Sequence, residues 1–161
     1  MRTNVSGIGY DSHRLVKERP LVLGGVKVSD EFGALGHSDA DAVCHAIIDA
    51  ILGGAGKPDI GVFFPDTDNK WKDADSIKLL AHIGKLIHDE GNKIMFVDVV
   101  VILEKIKLRP YVEEMKNNIS KALGIDVNRV NIKAKTNEKM GFVGRAEGVA
   151  VLATATIERN F

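Results

Sequence analysis

The segment that most constrains the fold runs from His37 to Asp49, His-Ser-Asp-Ala-Asp-Ala-Val-Cys-His-Ala-Ile-Ile-Asp. A short carboxylate, at Asp39 or Asp41, can accept bonds from the free backbone N–H groups that begin a helix. The residues that follow are mostly apolar, which predicts a helix buried on most of its surface. Asp41, His45 and Asp49 recur at every fourth position and form one polar stripe along that helix. Buried groups of this kind must be paired with each other or bound to a metal ion.

Two interpretations of this stripe are open from the helix alone. In the first, His45 is a core histidine paired with a neighbouring carboxylate, and in the second it is a metal ligand. Asp11 and His13 favour the second, because positions i and i+2 of an extended segment project from the same face. An Asp-x-His pair is common by chance, so it supports a metal site only together with the helix. Asp49, one turn beyond His45, is then expected to orient the imidazole of His45.

His37 is a fourth candidate ligand beside Asp11, His13 and His45. A catalytic zinc ion is typically held by three protein ligands and keeps one open position. The residues alone leave open which three of the four bind. Cys44 is not expected to join them, because its side chain diverges from that of His45 by about 100° around the helix. It is expected to be a small core residue.

The rest of the chain alternates between strand and helix signals, without an internal repeat or a linker. This pattern predicts an α+β fold, a mixed α/β sandwich with one mixed sheet packed against helices, in a single domain over residues 1–161. Residues 94–103 are almost entirely apolar, which predicts a central, covered strand. Residues 57–69 are expected to have little regular structure. The other predicted elements are strands at 3–10, 130–136 and 146–157, a hairpin at 20–28, and helices at 75–91 and 110–124.

Composition excludes several classes of function. Lys and Arg together number 22, as do Asp and Glu, and no basic patch stands out, which argues against a nucleic acid partner. No apolar run approaches the length of a membrane span, and the N-terminus lacks the apolar core of a signal peptide. Cys44 is the single cysteine, so no internal disulfide can form. We therefore expect a protein of the reducing cytoplasm that has neither a nucleic acid nor a membrane partner.

Residues 133–145 add a second chemical signal, a mixture of cations, a hydroxyl group and one carboxylate. Magnesium prefers a few protein oxygen ligands together with the phosphate oxygens of its substrate. A metal bound to a phosphate oxygen acts as a Lewis acid on phosphorus. The residues therefore indicate metal-assisted chemistry on a phosphate or diphosphate, without identifying the substrate. The groups concerned are Lys133, Lys135, Thr136, Glu138 and Arg145.

Four motifs, in their order and spacing, resemble those of the 2-C-methyl-D-erythritol 2,4-cyclodiphosphate synthases. The resemblance extends along nearly the whole chain and implies an enzyme of the non-mevalonate pathway of isoprenoid biosynthesis. Such enzymes, which are phosphorus-oxygen lyases, convert 4-diphosphocytidyl-2-C-methyl-D-erythritol 2-phosphate to the cyclic diphosphate and release CMP. The motifs are Asp11-Ser-His13, His37-Ser-Asp-Ala-Asp41 with His45, Phe64-Pro-Asp-Thr-Asp68 and Lys133-Ala-Lys-Thr-Asn-Glu-Lys139.

The same resemblance implies two metal ions. Asp11, His13 and His45 match the ligands of a Zn²⁺ ion, and Glu138 matches the ligand of a Mg²⁺ or Mn²⁺ ion on the substrate diphosphate. Two metals that hold the reacting phosphates in line catalyse mainly by positioning and by neutralising charge.

The resemblance also implies the residues that touch the substrate. His37 and Thr136 match positions that stabilise the transition state, which makes His37 a phosphate donor rather than a metal ligand. Asp11, His13, His37, Thr136 and Glu138 match positions that contact the substrate as well. The other matched positions are Ser38, Asp59, Ile60, Gly61, Phe64, Pro65, Asp66, Thr67 and Asp68 around the methylerythritol, Leu103, Lys105 and Lys107 in a cytidine pocket at residues 103–109, and Lys135, Asn137, Phe142 and Arg145.

A homotrimer with active sites between neighbouring subunits is a further implication of the resemblance. Tyr10, Phe142, Arg145 and Glu147 resemble the lining of a cavity on the trimer axis. In some members of the family this cavity holds an isoprenoid diphosphate, and its occupation here is a hypothesis.

The chain departs from the family pattern at two positions. Ile106 stands where a proline is common, which is expected to loosen the cytidine loop, and Lys135 stands where some members have threonine. Two rival interpretations are a metal-dependent phosphohydrolase and a trimeric binding module with a structural metal. The module is disfavoured, because structural zinc sites are usually closed by four ligands, often cysteines.

Overall fold

The computed structural model describes residues 1–161 and has the α+β architecture that the sequence predicts. The strands are β1 (Arg2–Lys17), β2 (Leu21–Leu23), β3 (Val26–Ser29), β4 (Phe32–Ala34), β5 (Lys93–Ile102), β6 (Val130–Lys135) and β7 (Gly148–Asn160). The helices are α1 (Ala42–Gly54), α2 (Ile60–Phe63), α3 (Ser76–Asp89), α4 (Val112–Leu123) and α5 (Gly141–Gly144). The main sheet has the order β4-β1-β7-β5-β6 and is mixed, because β5 and β6 run parallel while the other pairs are antiparallel.

Helix α1 begins where the sequence predicts. The carboxylate of Asp41 caps the helix by accepting the N–H of Cys44, and it also accepts the N–H groups of Gly24 and Gly25 in the β2–β3 hairpin. Asp41 is thus a buried carboxylate with three backbone donors, which offset the cost of its burial. Cys44 is buried in the core, as expected.

Helix α1 lies directly on β1, and two glycines make this approach possible. A Cβ atom at Gly9 would stand 1.9 Å from the carbonyl oxygen of Ala46, and one at Gly7 would stand 2.0 Å from that of Ala50. Real side-chain atoms do not approach a backbone oxygen so closely, so only glycine fits at either position. The close packing fixes the distance between α1 and β1, and therefore the positions at which their side chains meet.

The helices cover only one face of the main sheet. Strand β5 lies between β7 and β6, so the prediction of a central strand is confirmed, but it is covered on one face alone. The other face, called here the open face, exposes large apolar side chains. Ile8 is 70% exposed, Tyr10 is 53% exposed and Phe96 is 41% exposed. The apolar run of β5 predicts that both faces of the strand are covered. Within this single chain, no element covers the open face.

The remaining predicted elements are confirmed, most of them with shifts of a few residues at their ends. Strand β1 continues to Lys17, well beyond the predicted residue 10. The segment 57–69, expected to be irregular, contains the short helix α2, which Asp59 caps by accepting the N–H of Gly61. None of the helices combines the length and the apolar character that crossing a bilayer requires.

Candidate active site

Asp11, His13 and His45 meet at the junction of β1 and α1, and are called here the metal triad. One potential ligand atom of each lies within 4.8 Å of the others. Oδ2 of Asp11 is 2.8 Å from Nε2 of His13 and 3.1 Å from Nδ1 of His45. Alternation along β1 places the first two side chains on the face that α1 covers, and α1 supplies the third. The predicted convergence of these three residues is confirmed.

The triad is electrostatically coupled. Burial opposes the ionisation of Asp11, but hydrogen bonds from His13 and His45 outweigh it and lower the pKa of Asp11. Burial likewise opposes the charged form of His13, but its bond with Asp11 outweighs burial and raises the pKa of His13. A carboxylate that remains ionised between two imidazoles is a suitable set of ligands for a divalent cation.

The second nitrogen of His13 identifies its ligand atom. Nδ1 of His13 lies 2.9 Å from the carbonyl oxygen of Leu35, which can only accept, so Nδ1 carries the proton. In the neutral ring, the form that binds a metal, Nε2 then has the lone pair, and it faces Asp11 and the centre of the triad. A backbone carbonyl is one of the usual partners by which proteins orient a metal-binding histidine.

The prediction that Asp49 orients His45 is wrong. Oδ1 of Asp49 accepts the N–H of Ile60 at 2.8 Å, and burial raises the pKa of Asp49. The side chain therefore holds the start of α2 instead of the imidazole. Nε2 of His45 contacts two hydroxyl groups, Oγ of Ser76 at 2.9 Å and Oγ of Ser38 at 3.2 Å.

A cavity of about 450 Å³ adjoins the metal triad. His37 lines it, and Nε2 of His37 is buried without a hydrogen-bond partner. Asp59 and Asp68 do not line the cavity, since they cap α2 and the turn at residues 69–71. The predicted residues that do line it are His13, His37, Ser38, His45, Ile60, Gly61, Phe64, Pro65, Asp66 and Thr67.

A second, larger cavity of about 930 Å³ lies at the β6 edge of the sheet. The loop after β5 and the end of β6 form it together, so residues 103–109 lie against residues 132–136. The predicted substrate residues Leu103, Lys105, Lys107, Lys135 and Thr136 all line this cavity.

Glu104 organises the turn that follows β6, and the sequence did not single it out. Its two carboxylate oxygens accept the N–H of Asn137 at 2.9 Å and the N–H of Lys139 at 3.0 Å. Between them, Glu138 donates its N–H to Oγ1 of Thr136 at 3.4 Å. Glu138 and Lys139 have φ angles of 51° and 63°, the left-handed region that non-glycine residues seldom adopt. Glu104 thus stabilises a strained turn that presents Thr136 and Glu138.

A third cavity of about 250 Å³ lies beside His13 and contains Phe142 and Glu147 among its lining residues. Arg145 pairs with Glu147, at 3.0 Å between Nε and Oε1. Tyr10 does not line this cavity and lies on the open face. The structure thus brings three of the four residues predicted for a central cavity to one region.

Comparison with known proteins places the chain in a family. The model of the YgbB family matches residues 5–158. The chain belongs to the YgbB family. It is similar to curated proteins named 2-C-methyl-D-erythritol 2,4-cyclodiphosphate synthase. That of Chlorobaculum parvum is 51% identical over 154 residues, which cover 96% of this chain and 98% of the relative. That of Bacillus subtilis is 48% identical over 154 residues, with the same coverage of 96% and 98%.

Solved structures resemble this YgbB-family protein over almost its whole length. The bifunctional IspDF of Campylobacter jejuni has a TM-score of 0.94 and 39% identity, and the match covers 99% of this chain but 43% of that one. The IspF of Plasmodium falciparum in a CDP complex has a TM-score of 0.85 and 32% identity, over 98% of this chain and 97% of that one.

In this YgbB-family protein, the metal triad and the β6-edge cavity occupy different parts of the sheet. Asp11 is in register with Val151 of β7, which is in register with Val101 of β5, and Val101 pairs with Ala134 of β6. Three strand spacings, or about 14 Å, therefore separate the backbone of the triad from that of the β6 edge. A single metal ion cannot contact both.

Proposed function

We propose that this protein is a 2-C-methyl-D-erythritol 2,4-cyclodiphosphate synthase. It converts 4-diphosphocytidyl-2-C-methyl-D-erythritol 2-phosphate to 2-C-methyl-D-erythritol 2,4-cyclodiphosphate and CMP, in isoprenoid precursor biosynthesis. The observation that carries the proposal is the metal triad beside a cavity, in a chain about half identical to curated synthases over nearly their full lengths.

The metal triad is the proposed site of a Zn²⁺ ion. Two imidazoles and one carboxylate are the ligand types that zinc takes in catalytic sites with an open position. Glu138 is the proposed protein ligand of a Mg²⁺ or Mn²⁺ ion, which prefers oxygen ligands and substrate phosphates. When bound, such ions neutralise phosphate charge and act as Lewis acids on phosphorus.

The proposed reaction is an internal phosphoryl transfer. An oxygen of the 2-phosphate forms a bond to the β-phosphorus, and the bond from that phosphorus to the bridging oxygen breaks. CMP leaves with the electron pair of the broken bond. His37 is the proposed donor to a phosphate oxygen, and the proposal is supported by its buried Nε2, which has no partner within the chain, and by its position in the lining of the cavity beside the triad. Thr136 offers a second hydrogen bond from the turn that Glu104 holds.

The β6-edge cavity is the proposed nucleotide pocket. Residues 103–109 form much of its wall, and a volume of about 930 Å³ is ample for a nucleoside. A related IspF structure carries CDP, which agrees with a cytidine pocket in this protein. Ile106 is half-buried against the core, so an apolar contact replaces the proline at this position.

We propose that other copies of the chain cover the open face in a homotrimer, with the active sites between neighbouring subunits. An apolar face of this extent on three adjacent strands is unusual for a free surface. The separation of about 14 Å within one chain is removed when the triad of one subunit meets the β6-edge cavity of the next. The proposed cavity on the trimer axis contains Phe142 and Arg145, and an isoprenoid diphosphate is its proposed ligand. If native mass spectrometry of the purified trimer detects no bound prenyl compound, this proposed ligand is contradicted.

A ³¹P NMR time course tests the proposed activity. The protein is incubated with 4-diphosphocytidyl-2-C-methyl-D-erythritol 2-phosphate, Zn²⁺ and Mg²⁺, and compared with a His45→Ala variant. We expect CMP and a cyclic diphosphate from the unmodified protein and neither from the variant. His88→Ala, which changes an exposed histidine at the end of α3, is the matched control and should remain active. CMP with only linear phosphate products would instead identify a phosphohydrolase.

A further inference from the structure

We propose that Ser76 and Asp39 are positioning residues that fix the tautomer of His45. In that tautomer, Nε2 carries the proton and Nδ1 presents its lone pair to the metal. The inference rests on metal binding at the triad, which is part of the proposed function. Ser76 and Asp39, which are 37 residues apart in the chain, would then orient the imidazole of His45, the role that the sequence had suggested for Asp49.

The three residues form a continuous chain of hydrogen bonds. Nε2 of His45 lies 2.9 Å from Oγ of Ser76, which is fully buried. Oγ of Ser76 donates to Oδ1 of Asp39, and the backbone N–H of Ser76 donates to Oδ2 of Asp39 at 3.0 Å. Asp39 therefore accepts two bonds from one residue at the start of α3.

The direction of these bonds follows from a count of protons. A serine hydroxyl has one hydrogen, and a carboxylate can only accept. The hydrogen of Ser76 therefore points to Asp39, and Oγ of Ser76 has only lone pairs left for His45. Nε2 of His45 must then be the donor, so the lone pair of the neutral ring resides on Nδ1. Nδ1 is the atom that faces Oδ2 of Asp11 at 3.1 Å.

Asp39 is itself held from both sides. Its backbone N–H donates to the carbonyl oxygen of Ala74 at 3.2 Å, and its Oδ1 accepts the N–H of Asp41 at 3.2 Å. It thus links the turn before α1 to the turn before α3. Oγ of Ser38 lies 3.2 Å from Nε2 of His45 and already accepts the N–H of Ala40, so the shorter contact with Ser76 is the one that sets the tautomer. The tautomer is set by the packing of the two helix starts.

The first test uses the unmodified protein. Zinc-loaded protein with ¹⁵N-labelled histidine is examined by long-range ¹H–¹⁵N correlation NMR, which reports the proton and the metal on each ring nitrogen. We expect His45 to have a protonated Nε2 and a metal-bound Nδ1. A protonated Nδ1 with Nε2 bound to the metal would overturn the proposal.

The second test measures zinc affinity by competition with a chelator. Ser76→Ala removes the acceptor, and we expect zinc binding about 10- to 100-fold weaker, the usual effect of losing a group that orients a metal ligand. Ser120→Ala is the matched control, because Ser120 is also buried in a helix but bonds only the carbonyl oxygen of Asn117. Asp75→Ala controls for damage to the start of α3, since Asp75 caps that helix without touching His45.

Wild-type zinc affinity in Ser76→Ala would contradict the proposal. If that variant does not fold, the tautomer of the unmodified protein decides the question by itself. Neither measurement uses turnover, so a protein that binds zinc in the expected tautomer but forms no cyclic diphosphate would refute the proposed function alone.

Discussion

The metal triad and the β6-edge cavity differ in how the fold holds them. The triad lies where α1 packs on β1 without room for a Cβ atom. The carbonyl oxygen of Leu35 orients His13, and the buried hydroxyl group of Ser76 orients His45. The β6-edge cavity is built from exposed loops, and its turn depends on one carboxylate, that of Glu104. The metal ligands are organised within one chain, and we expect the proposed nucleotide half to depend on ligands and neighbours for its final arrangement.

Gly9→Ala should have the largest effect, because it breaks the contact that positions the triad. The new Cβ atom would meet the carbonyl oxygen of Ala46 at 1.9 Å, so α1 must move. We expect the free energy of unfolding to fall by about 3 kcal/mol, as for severe overpacking. Chemical denaturation measures this change.

Gly53→Ala is the matched control for that experiment. Gly53 lies in α1, and the nearest atom to its added Cβ would be 3.7 Å away. Alanine favours a helix over glycine, so we expect a small gain of about 0.5 kcal/mol. Equal losses in the two variants would contradict the account of the α1–β1 contact.

Zinc binding to the triad should depend on pH. The pKa of His13 is raised above 6.5 by Asp11, after burial is overcome. In the metal-free protein, the protonated pair contributes stability below about pH 6.5 that is lost as the pH rises through the pKa of folded His13. Zinc requires that proton to leave, so zinc should raise the melting temperature more at about pH 8 than at about pH 6. Each tenfold loss of affinity removes about 1.4 kcal/mol of zinc stabilisation. Equal shifts at both pH values would contradict the coupling.

Glu104→Ala should impair the nucleotide half while leaving the triad intact. Loss of both acceptors for the turn at 137–139 is expected to reduce kcat about tenfold and to raise the Mn²⁺ concentration required, with little change in zinc affinity. Glu104→Gln keeps one acceptor oxygen and should be intermediate. If Glu104→Ala weakened zinc binding and Mn²⁺ dependence alike, the two halves would not be independent.

Asp98→Asn should have the smallest effect. Asp98 pairs with Lys133 on the open face, where the side chain of Lys133 is 50% exposed and that of Asp98 is 36% exposed. Although burial opposes its ionisation, bonds from Lys133 and Asn131 lower the pKa of Asp98. Exposed pairs contribute little, so we expect the free energy of unfolding to change by less than about 1 kcal/mol. A much larger loss, seen in thermal melts, would show that this edge is held as firmly as the triad.

The sequence was most informative where the structure is locally periodic. Asp11 and His13 share a face of β1, and His45 lies in the polar stripe of α1, so spacing could bring them into one metal-site hypothesis. Spacing also left His37 as a fourth candidate, and only the family resemblance selected the three. The same spacing failed for Asp49, because it identifies neighbours on a helix but not the N–H of Ile60 that Asp49 binds.

The residues that the sequence could not reveal act across long separations. Ser76 is 31 residues from His45, and Glu104 is 33 residues from Asn137. Such contacts follow from tertiary packing and leave no periodic signal. The open face is a similar case, since an apolar strand looks the same whether a helix or another chain covers it.

Complementation between two inactive variants tests the central claim most directly, that one active site combines the triad of one chain with the β6-edge cavity of another. His45→Ala disables the first half and Glu138→Ala the second, and each variant alone should be inactive. When the two are co-expressed, random trimers should recover about a quarter of wild-type cyclic diphosphate formation, because half of the triads and half of the neighbouring cavities are intact. If native mass spectrometry confirms that mixed trimers are present and they form no cyclic diphosphate, the shared site is contradicted.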